Sequence, residues 1–114
     1  MPEKFPSPEF SQEELQLIAK LKERGLEDAE AKQELLAWTE AQEAKANETN
    51  TSRANVEMNI KRAKLYRAAG FKSGAWDVLE SVRMQAHNEG EADLYEEAMR
   101  IMDELDAEDD GSEK

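Results

Sequence analysis

Lys61, Lys64 and Arg67 recur at three-residue intervals, with Arg62 beside them and Lys72 further on. Cations at that spacing share one face of an α-helix. Such a face can hold carboxylates or other anions. Its setting is unusual, because the 114-residue chain has a net charge of −12. Residues 1–52 carry 6 Lys/Arg against 12 Asp/Glu, and residues 73–114 carry 3 against 14. Residues 53–72 carry 6 against 1, an island of +5. An acidic protein is repelled by nucleic acid and by anionic membranes. The island is the one place where that repulsion reverses. Two roles compete for it: capture of an acidic partner segment, or neutralisation of the chain's own C-terminal acids.

Other chemistry finds little to work with. There is no cysteine, so disulfides, thiolate zinc sites and cysteine nucleophiles are excluded. The single histidine, His87, stands at a polar helix end, where an exposed imidazole favours the helix C-terminus. Glu91, Asp93, Glu96 and Glu97 are dense, but they read as a solvated helix face. No Glu-x-x-His pair exists for a di-metal centre, and the acidic C-terminus lacks the spacing of a calcium loop. Gly70 and Gly74 follow a helix rather than a strand, which argues against a phosphate loop. No catalytic residue, cofactor or metal is expected, and the chain is not read as an enzyme. Two tryptophans remain. Trp38 and Trp76 suit either core packing or an interface anchor. Trp76 lies beside the Leu79/Val82 stripe rather than on it, and joins Lys61, Lys64 and Arg67 as a candidate partner-binding residue.

The elements that must position these residues are helical. Strong helix formers dominate and β-branched residues are scarce, so the fold class is all-α. "MPEKFPSPEF" reads as an extended arm over residues 1–10. Ser11 and Glu14 form a capping box for the first helix, with Phe10 and Leu15 as a hydrophobic staple. Gly25 is expected to end that helix in a left-handed cap. The second helix spans about Asp28 to Asn47, with Ala31, Leu35, Leu36 and Trp38 as its apolar side, and "NETNTS" follows as a polar loop. Helix three buries Val56, Ile60, Ala63, Tyr66 and Ala69, and ends at Gly70 with positive φ. Ser73 is expected to cap helix four, whose inward face is Ala75, Val78, Leu79, Val82 and Ala86. Helix five, from about Glu91 to Leu105, carries Leu94, Ala98, Ile101 and Leu105. A single domain over 11–106 results, and "AEDDGSEK", residues 107–114, is expected to be a disordered acidic tail.

Ala63, Tyr66, Gly70, Ala75, Leu79 and Val82 carry a resemblance. Their spacing is similar to the small, aromatic, glycine, alanine and large apolar positions of tetratricopeptide repeats. Residues 59–87 resemble one repeat, helix five its capping helix, and residues 14–38 a degenerate copy. Asn59 stands where that family favours Trp, and His87 where it favours Pro. The resemblance implies a short stack of antiparallel hairpins, with a small helical bundle as the alternative. It also implies that helix three lines a concave groove, with Lys64 and Arg67 turned toward acidic peptide ends.

The expected function is that of a small protein-interaction module, an adaptor or regulatory subunit. The alternative is an acidic protein that mimics nucleic acid and occupies a basic site. Nucleic-acid binding through helix three is opposed by the overall charge. The N-terminus has no apolar signal segment, and no apolar run approaches a membrane span. A cytoplasmic location is therefore expected, which makes the sequons at Asn47 and Asn50 irrelevant. A homodimer remains open.

Overall fold

The computed structural model of the chain describes residues 10–112. They form five helices: α1 (Gln12–Arg24), α2 (Ala29–Thr49), α3 (Ser52–Ala68), α4 (Lys72–Glu89) and α5 (Ala92–Ser112). No β-strand occurs among the described residues. The all-α expectation holds. Of the expected arm only Phe10 is described; residues 1–9 lie outside.

The capping box forms in both directions. The Glu14 N–H donates to Ser11 Oγ at 3.1 Å, and the Ser11 N–H donates to Glu14 Oε1 at 2.9 Å. Phe10 packs onto the α1–α2–α3 core, while Leu15, its expected staple partner, is 39% exposed. Gly25 has positive φ (79°), but its ψ of 174° lies outside the left-handed helical region. The chain thus leaves α1 extended rather than through a left-handed cap.

α2 runs past Asn47 to Thr49. Asn50 then takes the left-handed conformation (φ 58°, ψ 46°), which Asn tolerates better than most residues. Thr51 caps α3 by accepting the Ala54 N–H at 3.0 Å. The expected "NETNTS" loop contracts to two residues. Each was able to end or begin a helix, so no further loop was needed.

The α3–α4 joint is tighter still. The Gly70 N–H donates to Arg67 O at 3.0 Å and the Phe71 N–H to Tyr66 O at 2.9 Å, the paired bonds of a Schellman turn. Gly70 supplies the positive φ, 91°. Phe71 O in turn accepts the Ala75 N–H at 3.0 Å, so Phe71 closes α3 and opens α4. This corrects the expected Ser73 cap: α4 begins at Lys72, and no side chain caps it. Gly74 has a separate task. A Cβ there would meet Tyr66 Cδ2 at 3.2 Å, so its absence lets the Tyr66 ring lie against α4.

Consecutive helices pack on one another, and α3 also touches both α1 and α5, whereas α2 and α4 do not meet. Two layers result, with α1, α3 and α5 in one and α2 and α4 in the other. Burial divides into two clusters. Val56, Ile60 and Ala63 of α3 join the inward faces of α4 and α5. Leu65 of α3 and Ala69, the residue that caps its C-terminus, join Leu17, Ile18, Leu21, Ala31 and Leu35 of the first hairpin. α3 therefore buries two faces, and its third carries Lys61, Lys64 and Arg67, while Arg62 turns toward α4. Leu36, expected on the apolar side of α2, is 53% exposed.

α5 also overruns its expected end. Residues 107–112, expected in the disordered tail, continue the helix. Ala107 and Glu108 are good helix formers, and Glu108 is tied to Arg67 on α3. Among the described residues no helix is long and apolar enough to cross a membrane.

Candidate functional site

The cation row of α3 faces the seam where α3 meets α1 and α5. Two adjoining cavities lie along the α3–α5 seam. One, of about 390 Å³, is bordered by Arg53, Ile60, Lys61, Lys64 and Leu94. The other, of about 350 Å³, is bordered by Lys64, Arg67, Ala68, Ile101 and Glu104. Phe10 lines both. Together they make a groove with apolar patches on its floor and charges on its rims.

The rims are matched charge against charge. Lys61 Nζ sits 3.0 Å from Glu14 Oε2 of α1. Lys64 Nζ lies 2.8 Å from Glu97 Oε2 of α5. Arg67 Nη1 donates to Glu104 Oε1 at 2.7 Å, and its Nη2 donates to Glu108 Oε2. At the other end of α3, Arg53 Nη1 reaches Glu91 and its Nη2 reaches Asp93, both at 2.7 Å. The expected binding face is thus brought together on one groove, with its cations already engaged by the chain's own acids. Lys64 and Arg67 meet C-terminal acids, whereas Lys61 meets an acid of α1.

Glu14 is the most deeply placed of these acids, at 5% exposure. Its carboxylate collects the Ser11 N–H, the Lys61 ammonium and the Trp38 indole N–H, the last at 2.9 Å. Burial raises the Glu14 pKa, but these three donors outweigh it, and the carboxyl titrates below its ordinary range. One side chain therefore joins α1, α2 and α3. Sequence reasoning saw only its capping role. The reach of Trp38, twenty-four residues away, has no local signature. At the opposite end, Glu108 and then Glu104 raise the Arg67 guanidinium above its already high value.

Trp76 does not belong to this groove. It packs against the α3–α4–α5 core, and its Nε1–H donates to Glu80 at 3.1 Å. It borders a different cavity with Lys72, Leu105 and Asp106. His87 is exposed at the end of α4, with its ring centroid 5.9 Å from that of Tyr95. Among the described residues no three His, Cys, Asp or Glu side chains converge as metal ligands. No family model matches the chain, and no curated protein or solved structure does either.

Proposed function

We propose that the chain is a protein-interaction module, an adaptor or regulatory subunit, that binds an acidic segment of a partner in the α3–α5 groove. The carrying observation is the row of Lys61, Lys64 and Arg67 along a groove floored by Ile60, Ala68, Leu94 and Ile101. Carboxylates already sit against that row, so it accepts acidic ligands in the geometry an acidic segment would need. The layer formed by α1, α3 and α5 supports the tetratricopeptide-like reading, in which such a layer lines the ligand groove. The role is binding rather than catalysis, in a cytoplasmic setting.

A second reading draws on the same pairs. With these α3 cations engaged internally, the outward charge is overwhelmingly negative, which suits an acidic protein that occupies a basic site. One pull-down from the native host separates the two. The wild type and the folded Lys64→Glu/Arg67→Glu variant are compared at low and high salt. Groove binding predicts a partner lost with the double variant. Charge mimicry predicts a basic partner retained by the variant and released steeply by salt. Capture by the variant equal to wild type at both salt levels would remove the groove reading.

A further inference from the structure

The acids opposite the cation row are not equally anchored. Glu97 of α5 lies between the buried Leu94 and Ala98. Glu104 lies beside Leu105, the last buried apolar residue before the chain end described here. Beyond it Asp106, Ala107 and Glu108 are all exposed, so no apolar burial holds this part of α5 to the body. Among the described contacts, the fork of Arg67 reaches across to it, gripping Glu104 and Glu108 one helical turn apart. Arg100 shares Glu104 at 2.7 Å but belongs to α5 itself, so it adds nothing across the seam.

The helix end is also electrostatically unfavourable. Asp106 and Glu108 lie in the C-terminal turns, and the last turn has no basic residue. Negative charge at a helix C-terminus opposes the helix dipole, and neighbouring like charges repel. Arg67 is a cross-helix cation that offsets this.

We propose that the last turns of α5 are a built-in acidic occupant of the Arg67 end of the groove, and that an acidic partner segment binds by displacing them. The inference rests on the groove reading above and adds a regulation to it. Two carboxylates one turn apart are what a short acidic segment would itself present. The exchange conserves the charge contacts of Arg67 while freeing a helix end that its own charge disfavours. Lys61 takes no part, because its acceptor is the buried Glu14. Exchange is therefore confined to Arg67, with Lys64 as the neighbouring contact.

The test uses fluorescein-labelled hexaglutamate and the full chain at low salt, read by fluorescence anisotropy. Glu104→Gln/Glu108→Gln removes the internal competitor and should bind hexaglutamate roughly three- to tenfold more tightly than wild type. Adding Arg67→Gln should abolish that gain. In wild type, saturating peptide should speed hydrogen exchange of the amides of residues 106–112 and leave those of residues 94–101 protected. Equal affinity in the wild type and the double variant, with binding still lost in Lys64→Glu, would overturn the displacement and leave the groove standing. Unchanged exchange at residues 106–112 under saturating peptide would also overturn it. Absence of binding to both chains would remove the groove and the displacement together.

Discussion

Lys61 and Arg67 lie six residues apart on α3, and both meet carboxylates from a neighbouring helix. Their surroundings make them different objects. Lys61 meets a 5%-exposed carboxylate that also holds an indole N–H and a helix cap. Arg67 meets Glu104, beside the buried Leu105, and Glu108, which lies past the last buried apolar residue of α5. The acceptor's burial, not the cation's type, decides which pair is structural and which is exchangeable. Removing one partner from a buried set strands the others, whereas exposed pairs contribute little.

That contrast is broken first at its stronger end. Glu14→Ala leaves the Trp38 N–H and the Lys61 ammonium without their carboxylate, and undoes the capping box. The expected cost is about 2–4 kcal/mol by urea denaturation. A cost near that of an ordinary surface substitution would show that the α1 end is no firmer than the Arg67 end.

Next comes the turn that ends α3 just after Arg67. Gly70→Val forces a β-branched residue to φ 91° and should destabilise by roughly 1–3 kcal/mol. No Cβ clash contributes, since nothing lies within 4 Å of that position. A value below half a kcal/mol would mean the turn relaxes, and with it the placement of Arg67.

Acid offers a graded probe. The Glu14 carboxyl titrates below its ordinary value of 4.5 in the folded chain. Its stabilisation is fully present above the unfolded pKa and is lost as pH falls through the folded one. Asp93 and Glu104 shift the same way, chiefly through Arg53 and Arg67. Stability should fall as pH drops below about 4.5, and Glu14→Gln and Glu104→Gln should each remove part of that fall. An unchanged pH profile in either variant would show that its carboxylate gains nothing from its cation in the folded chain.

The smallest effect belongs to Glu108→Gln, expected to change stability by no more than about 0.5 kcal/mol and to be masked by 0.5 M salt. A loss above about 1.5 kcal/mol, persisting at that salt, would make the helix end structural.

Much of this fold was legible because the signals were local. The Ser11/Glu14 box, the positive φ of Gly70 and the inward faces of α4 and α5 depend on neighbours within a turn or two. The misreadings share a different cause. Leu65 is buried because α3 buries a second face, and Met102 because the apolar stripe of α5 is wider than one row, both of which a narrow reading of periodicity overlooks. Ser73 is a good capping residue, but the Schellman turn before it had already fixed the start of α4 at Lys72. The cation row was visible as a sequence feature. Its acceptors were not, because Glu14, Glu97 and Glu104 reach it from 33 to 47 residues away.

Phe71 serves as the end of α3 and the beginning of α4, and this has a consequence for the order of assembly. No loop has to be closed between the two helices, so their contacts are among the least entropically costly inter-helix contacts in the chain. Val56, Ile60 and Ala63 find Ala75, Val78 and Leu79 at short sequence separation, while α1 must wait for Leu65 and Ala69 more than forty residues on. The α3–α4 hairpin is accordingly the expected folding nucleus. Leu79→Ala should slow refolding, and Leu17→Ala should mainly hasten unfolding, in stopped-flow measurements.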